Sequence, residues 1–446
     1  MRSKILVLIS CLLSLGLLAQ KSSSSPYSSY GIGIFGGLDH PNFSGIGNVT
    51  SPVHDSTVLN FYNPASYALL GKGQPLFSTG ISGQFSTFTE NNNSINKKVI
   101  GINHFAFAIP FAKRLGLAFG LKPYTRTGYE IINYEALGID TIKYSYIGKG
   151  STNQIFTGFS WKVFETNKNL LSLGTNISYV FGTSNHQQLS NPTTSSAGGV
   201  QETNYQIKSL HYEFGLNYQL MFAHNRKLSI GFCLTPQQNL TSSREVTLST
   251  AVFVENENTY TTLLNEKINN SITIPTIYSI GFAYQHRPKI DSSFNRTKVY
   301  QLTVFGEYKS SSWNNFQTNF DNTNTRIYKN SQQFGLGIEF TPHYNFMERT
   351  TSIGYLNRVK YRAGVQYMTL PYSINNKQLN DAGVTLGFKF PIISQRSVSS
   401  LTLGVVYGKR GEATNISLNE KYLGINLGIT IAPGNNDRWF RKYKID

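Results

Sequence analysis

The sequence predicts an all-β chain: a transmembrane antiparallel β-barrel of about 14 strands with an N-terminal plug in its lumen. Three observations point there. Apolar residues alternate with small or polar ones at strict two-residue spacing down most of the chain. Charged residues make up 14%, far below the usual quarter, yet hydrophobic residues reach only 39%. Beyond the N-terminus, no stretch approaches the roughly eighteen apolar residues that a membrane helix needs. A barrel wants an apolar outside, an uncharged polar inside and aromatic girdles at two interfaces. Gly (39), Tyr (27) and Phe (29), with abundant Ser, Thr and Asn, supply that mixture.

Residues 1–20 read as a signal peptide. Arg2 and Lys4 form a positive head, and Ile5 to Ala19 follow without a charge, too short a run to span a membrane. Leu8-Ile9-Ser10-Cys11 loosely resembles a lipobox, but cutting there would strand the apolar residues Leu12 to Ala19. Removing Cys11 leaves Cys233 alone, which excludes a disulfide framework and a thiol metal site. Losing Arg2 and Lys4 brings the formal charge from +17 to +15. The remaining Lys and Arg are scattered, with small clusters at Lys97-Lys98 and Arg438 to Lys444. That scatter suits basic rims facing outer-membrane lipid and lipopolysaccharide phosphates, not a nucleic-acid patch.

Residues 21–74 lack the strand pattern and are rich in Gly, Ser and Pro. Their aromatic residues Tyr27, Tyr30, Phe35, Phe43, Phe61 and Tyr62 suit packing, so a lumen plug is expected over a floppy leader. Gly31-Ile32-Gly33-Ile34-Phe35-Gly36 fits the dinucleotide fingerprint in letters only. The fingerprint works between a strand and a helix, and neither flank is present, so a plug turn is the reading kept.

Residues 75–431 supply fourteen alternating segments. The first two, 75–88 and 99–111, alternate less cleanly, the second with a bulge expected near Asn103-His104. Clear alternation follows at 115–121, 159–163, 177–181, 212–218, 228–234, 278–284 and 302–304. It continues at 334–340, 361–367, 384–390, 401–407 and 423–431. In the last hairpin, Leu403 and Leu427 face outward while Gly404 and Asn426 face the lumen, where a polar replacement should be tolerated better. Links after even-numbered strands start short (112–114, 165–169, 223–227) and lengthen near 287–298, 343–355 and 392–398. Links after odd-numbered strands are expected as longer loops rich in Asn, Ser and Thr: 89–98, 135–151, 184–205, 250–268, 310–324, 371–382 and 411–418. Barrels of this class keep short turns in the periplasm and long loops outside. Residues 432–446 remain as a basic periplasmic tail.

By parity, Lys162, Glu213, Glu307, Glu339, Arg362 and Lys389 face the lumen, since each would cost a few kcal/mol in lipid at mid-depth. They form either salt bridges that fill the lumen and hold the plug, or a polar lining around a pathway. Pro275 lies within a strand pattern and cannot donate to a ladder, so it marks either a wall kink or a strand end at the rim. None of the eight histidines has metal-site spacing. No G-x-S-x-G elbow appears either. No catalytic residue, cofactor or metal is expected.

Asn63-Pro64-Ala65, followed by Ser66 and placed just before the first strand, resembles the hatch signature of the long-chain fatty-acid transporter (FadL-like) family. That family is similar in having fourteen strands and a small plug. Ser25-Pro26-Tyr27-Ser28-Ser29-Tyr30-Gly31-Ile32-Gly33 and Asn436-Asp437-Arg438-Trp439-Phe440 resemble its Bacteroidota members. The resemblance implies an outer-membrane channel for passive uptake of hydrophobic or amphipathic small molecules. Some relatives are instead non-transporting barrel subunits or plugs of a type IX-like secretion translocon, a second reading in which the partner is a translocon protein. A continuous apolar tunnel would favour the first, and a polar, salt-bridged lumen with an exposed apolar loop patch the second.

Overall fold

A computed structural model of the chain describes residues 25–36, 39–71, 75–90, 93–138, 140–195, 197–223, 225–253, 258–288, 300–318, 320, 328–343, 354–374, 377–394, 397–411 and 419–432. The expected signal peptide and the tail from 433, with its Asn436 to Phe440 motif, lie outside the described residues.

All fourteen expected strands are present, and they close into a barrel. β1 is Leu76–Glu90, β2 Asn93–Ile109, β3 Leu115–Leu137, β4 Asp140–Glu165, β5 Asn169–Pro192 and β6 Ala197–Ala223. β7 runs as Arg226–Thr235, breaks at Pro236-Gln237 and resumes as Gln238–Phe253. β8 returns as Asn258–Ile274 and Ile277–His286, broken at Pro275-Thr276. β9 is Gln301–Ser311, β10 Ser331–Thr341, β11 Lys360–Ile374, β12 Lys377–Ser394, β13 Ser397–Arg410 and β14 Asn419–Ile431. Each pairs antiparallel with the next, and β14 returns to β1 with Leu427 opposite Ile81. The bulge expected near Asn103-His104 sits between the pairs Gly80–His104 and Ile81–Ile102.

The alternation sorts faces as the pleat requires. Ile81, Leu427 and Ile429 are outward and 54%, 46% and 44% exposed, whereas inward Thr402 and Val406 are buried. An exposed apolar belt of this kind is stable only against lipid.

Most expected long loops are instead paired strand. Residues 140–151 pair with β3 and β5 to within a residue of their ends, and β3 to β6 run 23, 26, 24 and 27 residues. Asn, Ser and Thr there suggested loop, but each residue lies beside a paired neighbour on the same sheet, and cross-strand pairing carries the ladder on. One flank of the barrel therefore stands taller than the rest. We call that end upper and the short-turn end lower.

Residues 39–71 lie inside the barrel. Phe61, Tyr67 and Leu59 pack against Leu76, Ala106, Ala118 and Phe156 of the wall. Phe43, Ile46, Val49 and Val58 pack with Ala283 and Phe305. Ile32 joins Tyr124, Val180, Ile207 and Trp313, and Tyr30 stacks on Tyr372 at 4.9 Å. The molecule's apolar core is thus the contact between this inner segment and the lumen face.

Candidate functional site

The Asn63 to Ser66 motif docks on β4 to β6. Asn63 caps the short 3-10 turn Pro64–Leu69 by accepting from the Ala65 N–H at 3.1 Å. Its Nδ2 donates to Ser51 O (2.6 Å) and to Leu216 O of β6 (3.1 Å). Ser160 Oγ of β4 donates to Ala65 O at 3.0 Å, and Ser66 Oγ donates to Asn60 O at 2.9 Å. Gly174 of β5 lets the motif approach, since any Cβ there would strike the Pro64 carbonyl carbon.

The inward charged residues fall into separate groups. Arg362 donates to Glu339 through Nε (2.8 Å) and Nη2 (2.7 Å), and through Nη1 to Asn42 O of the inner segment (3.1 Å). Lys360 bridges Glu339 (3.3 Å) and Asp55 (2.9 Å), and Lys389 stands 3.7 Å from Asp55. Burial pushes the Asp55 carboxyl up, but Lys360 and Lys389 outweigh it and hold it well below the usual carboxylate range. Glu339, Arg362 and Lys389 are thus brought together around a residue of the inner segment. The other three are not. Glu213 pairs with Lys122 at 3.6 Å, Glu307 accepts from the backbone N–H groups of Thr50 and Ser51, and Lys162 pairs with Glu165 at 2.9 Å.

Sequence reasoning missed Asp55, Lys360 and Lys122. Parity could have found both lysines, as inward neighbours of outward Tyr361 and Leu121. Asp55, outside any strand, carried no such signal.

The inner segment separates two chambers. The lower, about 420 Å³, is lined by His54, Asp55 and the Glu339–Lys360–Arg362 group. The upper, about 330 Å³, is lined by Phe35, Phe43 and Tyr62 together with Asp39, Glu307 and Arg410. Burial pushes the Asp39 carboxyl up to about 6.

The wall beside the upper chamber is incomplete. β2 and β3 pair only from Phe105–Ile109 to Leu117–Leu121. Above that, Pro123 sits where β3 leaves its neighbour, and the ladder to β4 slips between Pro123 and Thr125. The freed edge of β3 is met from inside by Ile34 and Phe35, which pair with Arg126 and Thr125. Gly33 (φ 98°) permits this approach, because a Cβ would collide with Arg126 O. The Arg126 guanidinium crosses the gap to Ile102 O at 3.2 Å. Val99 on one bank and Arg126 on the other both line the upper chamber, so it abuts the seam.

Pro275 stands at a different break. There the β6–β7 ladder skips residues 208–213 of β6, and the Gln238 side chain fills in, accepting from Tyr212 N (2.8 Å) and donating to Tyr212 O (3.0 Å). That kink is stitched by two bonds from one amide to one residue, whereas the β2–β3 seam is crossed by the Arg126 side chain and backed by the inner segment.

Two Ser-His contacts exist inside the wall among the described residues. Ser184, 1% exposed and lining neither chamber, has its Oγ 3.0 Å from His186 Nε2. Ser78 Oγ lies 2.9 Å from His104 Nε2, and His104 Nδ1 lies 2.9 Å from Asn103 Oδ1. Ser78 is 1% exposed and lines neither chamber, with His40 stacked over His104 at 4.3 Å, so the group orients the wall. Among the described residues, no group of three or more His, Cys, Asp or Glu could hold a metal ion.

The sequence pattern that defines the BamG family matches residues 1–446. The chain belongs to the BamG family. No curated protein matches it. Among solved structures it is similar to the Pseudomonas putida toluene transporter TodX, with a TM-score of 0.55 at 15% identity over 90% of this chain and 98% of that one. It is also similar to a Pseudomonas aeruginosa FadL homologue, with a TM-score of 0.52 at 10% identity over 90% and 99%. These likenesses establish the fold, that of FadL-like outer-membrane barrels, including their strand number.

Proposed function

We propose that this barrel is an outer-membrane channel for passive uptake of hydrophobic or amphipathic small molecules, with the β2–β3 seam as its lateral door. The observation that carries the reading is the five-pair seam opening beside a chamber of about 330 Å³. That volume lies in the range of small-molecule sites. Phe35, Phe43 and Tyr62 would take an apolar body, and Arg126 and Arg410 an anionic or polar head. Outward Ile81, Ile102 and Leu121 flank the foot of the seam, so a lipophilic molecule could pass between bilayer and chamber without crossing water. No nucleotide motif in the sequence and, among the described residues, no metal cluster supports energy coupling, so movement follows the gradient. The likeness to the toluene transporter agrees with this reading. Lys97 and Lys98, exposed on β2, would face lipopolysaccharide phosphates.

A second reading has its own support. The inner segment is bonded to the wall on several sides, through Asp55, Asn63 and Asn42, and charged groups line both chambers. A barrel sealed in this way suits a non-transporting subunit of a secretion translocon.

The test joins the banks of the seam. Gly101→Cys and Arg126→Cys are introduced and bridged with a bifunctional thiol reagent in protein reconstituted into liposomes. Uptake of a lipophilic fluorescent amphiphile should occur with the unbridged protein and stop on bridging. Uptake that persists after bridging rejects the seam as the door. No uptake by the wild type rejects the channel and leaves the translocon reading.

A further inference from the structure

The tall flank leaves strand edges open above the bilayer. β2 and β3 part above Phe105 and Leu121, so each has one side without a neighbouring strand. At the other border of the flank, upper β8 pairs with β7, and on its free side only Ile272 and Thr273 meet Thr318 and Gln317. Two of these three edges carry features that discourage pairing with another chain. β2 exposes Lys97 and Lys98, and β8 is bulged between Thr262 and Leu264. The third does not. Residues 129–137 of β3 run against β4 without a bulge and hold neither proline nor cation. Ile132, Tyr134 and Leu137 there are 47%, 62% and 54% exposed. A flat, apolar, open edge is a template for an added strand.

The lower part of the same edge already accepts one. Ile34 and Phe35 pair with Arg126 and Thr125, and the Gly36 N–H donates to Tyr124 O at 2.9 Å. Gly128 turns both of its backbone groups away from β4. Its N–H donates to Ser28 Oγ at 3.0 Å, and its carbonyl accepts from the Ser25 N–H at 3.1 Å. Strand alternation points the backbone groups of Glu130, Ile132, Tyr134 and Ala136 the same way. Among the described residues no group bonds them, so they continue a ladder that the inner segment begins.

A second copy of the chain does not fit this edge. Two barrels upright in one membrane run their β3 strands in the same direction, and a two-fold axis between them sets each residue opposite its own copy. In a parallel ladder a bonding residue stands opposite a non-bonding one, so the two requirements conflict. Charge also points to a different chain. Glu130 and Glu135 are the charged residues of the edge, both exposed, and neither pairs with a cation among the described residues. A strand added antiparallel, as the inner segment is, would set cations against them at their own spacing, with apolar residues opposite Ile132 and Tyr134.

We infer that residues 129–137 of β3 bind an extended basic segment of another protein, which adds to the barrel as a strand above the seam. The edge lies at the upper end, which barrels of this class direct outward, so the partner is met at the cell surface. Such pairing is independent of anything the lumen passes.

The experiment uses full-length protein in detergent and two labelled peptides, Lys-Val-Thr-Val-Thr-Lys and Glu-Val-Thr-Val-Thr-Glu, with binding read by fluorescence anisotropy. The basic peptide should bind, and better than the acidic one. Ile132→Pro removes an edge-facing N–H without taking a bond from β4. The barrel should therefore keep its electrophoretic heat shift while binding weakens about tenfold or more. Glu130→Lys with Glu135→Lys should reverse the preference between the peptides, which a misfolded chain would not do. Binding of neither peptide by the wild type overturns the inference, as does binding that Ile132→Pro or the charge reversal leaves unchanged. A wild-type dimer that Ile132→Pro dissociates also overturns it, and assigns the edge to a second copy.

Discussion

Glu339→Gln removes one charge and almost no volume from the group that ties wall to inner segment. In the wild type, Glu339 accepts two bonds from Arg362 at 2.7 and 2.8 Å and faces Lys360 at 3.3 Å, with both members of the Arg362 pair under 8% exposed. The amide leaves Arg362 buried without its counter-charge, while Asp55 can hold only Lys360 and Lys389. Breaking a buried pair from one side costs about 3–5 kcal/mol. The comparison is Glu165→Gln, whose side chain is 48% exposed although Lys162 is buried, so water reaches the pair from one side and a smaller cost than for Glu339→Gln is expected. Urea unfolding in lipid vesicles, read by the electrophoretic heat shift, compares the two. Adding Arg362→Met to Glu339→Gln should recover much of the loss, because the stranded charge is gone. A cost under about 1 kcal/mol for Glu339→Gln, or no recovery in the double variant, would refute the argument.

The other expectations are shorter. Leu427→Arg should cost roughly 2–4 kcal/mol if it sits near mid-bilayer. Gly404→Ala, on the inward face, should also destabilise, because a Cβ there meets Ser44 Oγ, and an unchanged unfolding midpoint would be the contrary result. In a Cys233→Ser background, Ser195→Cys should react with an impermeant thiol reagent on whole cells, and Ala112→Cys only after permeabilisation; the reverse pattern inverts the barrel. Asp39 is held at about 6, above its usual 3.8, so the folded chain binds that proton more tightly and docking of the inner segment weakens as pH rises through 6. Protease protection of that segment in the wild type, relative to Asp39→Asn, should improve from pH 7 to pH 5, and a flat difference would count against it. Deleting residues 22–62 removes Asp55 and should leave Lys360 and Lys389 without a carboxylate from that segment, giving a poorly assembled barrel or, if assembled, a leaky one; an intact and impermeable barrel would place the segment outside the lumen.

Strand number and sidedness were fully legible, because a two-residue period with lipid on one face leaves one register for each strand. Inward placement of Arg362, Glu339 and Lys389 followed from the same parity, since lipid excludes a charge locally and without reference to any partner. The packing residues of the inner segment showed in its spaced aromatics, as Phe61 and Tyr30 illustrate. Gly404 shows the limit: alternation marked it as inward, and only the structure reveals that Ser44 occupies the space its side chain would need. The tall flank was hidden because Asn, Ser and Thr read as loop, yet pair when neighbouring strands continue beside them. The break at Pro275 was visible in sequence, but whether a proline opens a wall depends on its neighbours. At Pro275 Gln238 spans the gap between the strands, whereas beside Pro123 the freed edge of β3 is taken up by the inner segment, through Ser28, Ile34, Phe35 and Gly36, and the Arg126 side chain reaches Ile102 O of β2. Periodicity within a strand fixes which way a side chain points. Which strands stay together, and what fills the lumen between them, depend on contacts between residues far apart in the chain, and no local pattern records those.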